Sequence, residues 1–264
     1  FSSLVAEAAD FSELADILGY SDFDDADFAV TELDNQIQGT AERLTVAIGG
    51  NDIKAIYGTI YNGGSAGTFV ADFMADMVAV LDHVQTLNPN IQIVVTNVPH
   101  VGVTPLVKVS YPYDPVKTER VSAVLRDLNG QLASLAASRN IGFADIYTPT
   151  LPMVNPANPL CIHGVTFSNT GSSTGNLASA WLNGPISKNF HPNTSGQAVI
   201  ANEIIHAFNK RYNTGIAPLT ATEMLGGLLG KTPTEIDVAF SNWIAGFGPA
   251  LPASDDSDGD GISA

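Results

Sequence analysis

Cysteine is almost missing from this chain: Cys161 is the only one in 264 residues. A single thiol excludes an intrachain disulfide and a thiolate-rich metal site, so the fold has to stand on packing. Positive charge is scarce too, with 11 Lys and Arg against 27 Asp and Glu and a net charge of −16. Phosphate recognition needs a basic face, which argues against a nucleic-acid partner, and the same repulsion disfavours an anionic membrane surface. Long hydrophobic runs are absent, and no stretch of about 18 apolar residues offers a transmembrane segment. The first residue is Phe1 rather than Met, with no signal peptide after it; the expectation is a processed or truncated start with further sequence upstream. What is plentiful is apolar. Hydrophobic residues make up 45% and charged residues 14%, enough for one α/β domain with a full core and a small appendage.

Apolar positions recur at helical spacing over residues 3–18, and Gly19 closes the pattern. An acidic loop at 22–27 leads through Phe28, Ala29 and Val30 to a short polar helix expected around 34–38. Residues 44–48 form a short continuous apolar and β-branched run ended by Gly49 and Gly50, as in a buried parallel strand. Helical period returns at 69–87, Asn88-Pro89-Asn90 breaks it, and 91–96 is the next strand. Asp114 and Pro115 open a helix to about Ser138, and 141–146 gives a third strand. This alternation predicts a parallel sheet with helices on both faces and ligands at the strands' C-terminal ends. Residues 148–190, rich in Pro, Asn, Ser, Thr and Gly, read as one long irregular stretch of functional loop. A helix follows at 196–212, and 222–229 with 233–247 read as a helical pair packed on the body.

Two short motifs bear on chemistry. In TVAIGGND, residues 45–52, the paired glycines let the backbone turn sharply and deliver Asn51 to the sheet's C-terminal edge. A donor there meets a developing oxyanion; the alternative is a glycine turn in which Asn51 and Asp52 cap the next helix. In NFHPNTSG, residues 189–196, Pro192 holds the backbone after His191, and Thr194 or Ser195 can cap the following helix. The imidazole then sits on a rigid loop, which suits a general base, although a lone surface histidine is usually inert. Gly63-Gly64-Ser65-Ala66-Gly67 formally matches the nucleophile elbow G-x-S-x-G. It follows a helical stretch where the elbow needs a strand, so a flexible loop is expected. His83, His100, His163 and His206 are not at metal-ligand spacing, and only His100 and His163 fall in segments expected to border the active face.

In order and spacing, the two motifs together resemble the SGNH/GDSL hydrolase family over most of the chain. Gly49-Gly50-Asn51-Asp52 is similar to that family's third block, whose Asn helps to form the oxyanion hole. His191-Pro192, with Gly196 after it, is similar to the fifth block, which holds the catalytic histidine. VVTNVPHVGVTP, residues 94–105, resembles the strand and loop between them in the lipase-like branch. The resemblance implies a three-layer α/β/α flavodoxin-like fold and carboxylic ester hydrolysis by a serine nucleophile. It assigns His191 as general base and Asn51 with Gly50 to the oxyanion, with no catalytic cofactor. The implied partner is a small-molecule, lipid or acylated-sugar ester.

Three departures qualify it. The first block, Gly-Asp-Ser after a central first strand, is not found, so the sheet is expected to be incomplete without an N-terminal segment. Ser3 is the nearest candidate nucleophile, but no strand or Gly-Asp precedes it, and an ordinary helix cap explains it as well. The second block's glycine is not found either: Thr31 and Glu32 follow Phe28-Ala29-Val30 where small residues belong. The Asp expected three residues before the histidine is Lys188, read as a solvated loop residue; a Ser–His dyad, with a backbone carbonyl orienting the imidazole, is then implied.

Near the end, Asp256, Asp258 and Asp260 with Gly261 match the opening of an oxygen-rich calcium loop that lacks its later acidic ligand. The stretch resembles Asp-rich repeats that join domains in extracellular bacterial proteins, which makes a secreted or cell-surface location the expectation. The organisation read from the sequence is a hydrolase-like domain at 1–214, a helical extension at 215–250 and an acidic linker at 251–264. A rival reading, favoured by the missing nucleophile, is a non-catalytic glycan- or lipid-binding module on the same fold.

Overall fold

Short β-branched runs separated by long amphipathic helices can bury both kinds of element at once only as parallel strands with helices laid across them. The computed structural model describes residues 26–162, 165–171, 179–184, 188–227 and 230. The segment 3–18, Ser3, His163, the expected helix at 233–247 and Asp256, Asp258 and Asp260 lie outside the described residues. Among those described, β1 (Arg43–Val46), β2 (Gln92–Thr96) and β3 (Gly142–Ala144) make a parallel sheet in that order. Leu44 is opposite Ile93 and Val46 opposite Val95; Val94 is opposite Gly142 and Thr96 opposite Ala144.

The helices are α1 (Ala26–Gly39), α2 (Gly50–Tyr61), α3 (Phe69–Leu87), α4 (Pro105–Ser110), α5 (Pro115–Ser138), α6 (Tyr147–Thr150) and α7 (Thr194–Tyr212). α3 runs as its periodicity predicts. α5 begins where Asp114 Oδ1 accepts the N–H groups of Val116 and Lys117 at 2.9 and 3.0 Å, with Pro115 in the first turn. α1 is longer than the expected short helix. It takes in Phe28 to Glu32, so that segment is helix rather than the approach to a glycine block; Ala, Leu, Glu and Gln outweigh the β-branched residues there.

α2, α3 and α5 cover one face of the sheet. Ile93 and Val95 of β2 share a buried cluster with Ile53, Tyr57, Met77, Leu81, Leu125 and Leu128, each such side chain contributing about 1.5–3 kcal/mol. On the other face, Val94 and Ala144 pack against Ala207 and Phe208 of α7. β2 is thus buried on both sides, as its unbroken apolar run requires. β1 is not, contrary to the buried strand expected: Thr45 and Ala47 are exposed. α7 spans only β2 and β3, and β1 is an edge among the described residues.

The stretch 148–190 is irregular only in part where it is described. It holds α6, a 3-10 turn (Leu151–Val154) and the antiparallel pair β4 (Leu160–Ile162) and β5 (Val165–Phe167). Leu160, Ile162 and Phe167 point inward while Cys161 and Thr166 stay exposed, a period-two pattern too short to stand out among the prolines and asparagines. These residues form a second core with Met153, Trp181, Met224 and Leu225. The last two belong to a π-helical turn (Thr222–Gly227). Asn202 and Asn209 of α7 bind the backbone of Leu219 and Ile216 in both directions at 2.7–2.9 Å, fastening that segment along the helix.

Candidate active site

The turn from β1 into α2 depends on Gly49. Its φ of +106° is rarely adopted by L-residues. A Cβ there would lie 2.6 Å from Val98 Cγ2 and 2.9 Å from Phe73 Cε2. Gly49 occupies the cap position, Gly50 opens the helix and Asn51 follows inside the first turn, with no side-chain cap bond. The alternative reading of Asn51 and Asp52 as caps is therefore corrected: the glycine turn has already brought both into the helix. A helix start projects N–H donors and the positive end of its dipole toward whatever lies in front.

Val98, which packs on Gly49, is itself gripped. Asn129 in the middle of α5 accepts its N–H at 2.8 Å and donates to its carbonyl at 3.0 Å. The neighbouring Asn97 accepts the N–H groups of Ile146 and Tyr147, both at 2.8 Å, and donates to Asp145 at 2.6 Å. Burial works to raise the pKa of Asp145, but the hydroxyl and N–H of Thr148 together with the Asn97 amide outweigh it and leave the carboxylate below its ordinary value. Two asparagines thus tie the C-terminal ends of β2 and β3 to α5 and to the start of α2. Sequence reading gave neither a role. The available signal was an Asn within the Leu125, Leu128, Leu132 stripe, where a buried polar side chain needs a backbone partner.

His191 lies on a loop laced to residues 179–182. Leu182 N–H donates to the His191 carbonyl at 2.9 Å, Asn189 N–H to the Leu182 carbonyl at 2.8 Å, and Asn193 N–H to the Ala180 carbonyl at 2.8 Å. The Asn193 side-chain amide also donates to the Ser179 carbonyl. Asn193, not Thr194 or Ser195, caps α7: its Oδ1 accepts from Ser195 at 3.0 Å and Gly196 at 3.2 Å. Ser195 lies inside the first turn, its Oγ buried without a hydrogen-bond partner. The His191 ring is on the surface, with Phe190 edge-on at 5.3 Å. The Phe190 ring also carries Lys54 Nζ over it at 4.5 Å, a cation–π contact. Lys54 is three residues after Asn51 on α2. The loop of His191 and the helix of Gly50 and Asn51 therefore meet through Phe190 and Lys54.

The other candidates separate from this region. Ser65 lies in the turn between α2 and α3, where its Oγ accepts the Gly67 N–H at 3.0 Å, so the G-x-S-x-G match is a loop as expected. His83 contacts Asp34 at 2.8 Å, and His206 is exposed on α7. His100 is fully buried rather than lining an open face. Its Nδ1 accepts the Gly102 N–H at 3.1 Å, while Nε2 makes no hydrogen bond of ordinary geometry. Burial lowers its pKa to about 4, the nearby Thr118 backbone offsetting this only in part. Lys188 is exposed, in a left-handed turn with φ +45°. Lys108 spans α4 and the 151–154 turn, donating to the carbonyls of Val103 at 2.9 Å and Met153 at 2.7 Å, and burial lowers its pKa to about 8.

Among the described residues, no group of three or more His, Cys, Asp or Glu is placed to hold a metal ion, and no helix is long and apolar enough to cross a membrane. Neither the curated proteins nor the solved structures contain a match to the chain. The profile of one family, described as GDSL-like Lipase/Acylhydrolase, matches residues 12–199. With a parallel α/β sheet, a glycine turn into α2 at the end of β1 and a histidine loop docked on that helix, the chain belongs to the GDSL-like lipase/acylhydrolase family and is a hydrolase of the ester type.

Proposed function

We propose that the chain carries the histidine and oxyanion parts of a serine carboxylic ester hydrolase. His191 acts as general base toward a serine outside the described residues and then protonates the leaving alcohol. The Asn51 side chain, with the Gly50 N–H, stabilises the tetrahedral oxyanion. Water then attacks the acyl-enzyme and His191 takes its proton in turn. The observation that carries this reading is the contact of the His191 loop with α2 through Phe190 and Lys54. It sets the imidazole's segment beside the helix that begins with the candidate oxyanion donors. No acid is needed for the proton transfers, which suits Lys188 standing where an Asp is usual. The chemistry has no metal step. Calcium at Asp256, Asp258 and Asp260 is a separate proposal for the linker, tested by calorimetric titration with the metal.

Removing one oxyanion donor usually costs about 100- to 1,000-fold in rate. Asn51→Ala and His191→Ala in the full-length protein are each expected to lose at least about 100-fold in turnover of a short-chain aryl ester. Wild-type turnover in His191→Ala would end the mechanism. A wild-type protein that binds an ester or glycan and never turns it over would favour the binding module.

A further inference from the structure

A cleft of about 410 Å³ runs beside the loop that carries His191, a size typical of small-molecule pockets. Leu106 and Val109 of α4, with Pro112, Tyr113 and Pro156, give it a wall made mostly of carbon. Lys188 and Asn189 also line it, and the Leu106 N–H reaches the Asn189 carbonyl at 3.5 Å. Val109 is 82% exposed and Tyr113 40% exposed. With Val116 at 67%, three of the large apolar side chains exposed among the described residues fall within eight positions, from the end of α4 to the first turn of α5. Apolar surface gathered in this way marks a binding face.

The charge around the cleft runs against that of the chain. Lys188 stands exposed at its edge, Lys108 lines it with its ammonium held by the Val103 and Met153 carbonyls, and no Asp or Glu lines it, in a protein with 11 basic and 27 acidic residues. An apolar slot with one exposed lysine at its edge and no carboxylate along it fits an amphiphile with a negative end. Ester hydrolysis makes one such fragment. Water adds across the acyl–oxygen bond, the alkoxy oxygen leaves with a proton as the alcohol, and the acyl half becomes a carboxylate as a second proton is released. The alcohol half stays neutral and has no use for the lysine.

We propose that this cleft holds the acyl half of the substrate, a straight hydrocarbon chain of medium length, and then its carboxylate product. The proposal rests on the ester-hydrolase reading of His191 and Asn51. The ester end faces Asn189, two residues before His191, and the hydrocarbon lies along Leu106, Val109 and Tyr113.

Calorimetric titration of the full-length protein with hexanoate, octanoate and decanoate tests it, with octyltrimethylammonium as the cationic counterpart. Affinity for the carboxylates is expected to rise about fourfold per methylene. The octyl cation is expected to bind at least about tenfold more weakly than octanoate. Val109→Glu, at a side chain that supports no packing, and Lys188→Glu are each expected to weaken octanoate by about tenfold or more. Titration needs no nucleophile, so it is independent of turnover. Octanoate binding in a protein that hydrolyses no ester would support the cleft and contradict the esterase reading. An active esterase that binds octanoate no better than the octyl cation, or whose binding ignores both substitutions, would overturn the cleft assignment.

Discussion

Replacing Gly49 by alanine places a methyl carbon 2.6 Å from Val98 Cγ2 and 2.9 Å from Phe73 Cε2, on a backbone with φ +106°. The left-handed conformation alone costs a residue with a Cβ about 1–2 kcal/mol, and overpacking a filled core adds about 1–3 kcal/mol. Neither neighbour can easily give way. Phe73 is buried in the main core, and Val98 is held at both its N–H and its carbonyl by Asn129. The expected loss is therefore about 2–5 kcal/mol, which in a domain of this size lowers the Tm by roughly 5–15 °C. Because Asn51 follows two residues later, the same displacement is expected to reduce ester turnover by about 100-fold. Gly50→Ala is the control: no atom lies within 4 Å of its added Cβ and its φ is not in the left-handed region, so stability should hold or rise by up to about 1 kcal/mol. Thermal unfolding and initial rates on the two variants decide the matter. If Gly49→Ala and Gly50→Ala unfold at the same temperature, the steric account of this turn is wrong.

Two further perturbations probe the buried polar groups. The folded pKa of His100 is lowered from its ordinary 6.5 to about 4, so unfolded chains take up a proton in that window and folded chains do not. Stability from this group is full above about pH 6.5 and falls by about 3 kcal/mol as the pH drops to 4. Urea midpoints measured across that range should slope less in His100→Gln, and parallel slopes would refute the assignment. Asn129→Leu leaves the Val98 N–H and carbonyl buried without their partner and is expected to cost about 2–5 kcal/mol. A denaturant midpoint within error of wild type would show that the clamp is dispensable.

The sequence revealed whichever features depend on a local pattern. α3 and α5 start and stop where apolar period, Asp114 and Pro115 place them; β1 and β2 were visible as β-branched runs, and β3 as the short apolar segment after the helix. Gly49 and His191 stood out because each combines a special backbone with a short motif. The features that escaped are relations between distant residues. Whether β1 is central or at an edge depends on what lies beside it, which the run 44–48 does not encode. Asn129 looks like any helical asparagine until Val98, 31 residues away, arrives beside it. β4 and β5 have three residues each and carry too little alternation to emerge from their surroundings. At the α7 cap, Asn, Thr and Ser stand in succession with similar capping ability, and packing of the loop on Ser179 and Ala180 decides for Asn193.

The central claim is that His191 activates a serine nucleophile, and a fluorophosphonate probe tests it most directly on the full-length protein. The account predicts stoichiometric labelling of one serine in the wild type and a labelling rate at least about 100-fold lower in His191→Ala. Equal labelling in both proteins, or no labelled serine in the wild type, would contradict it.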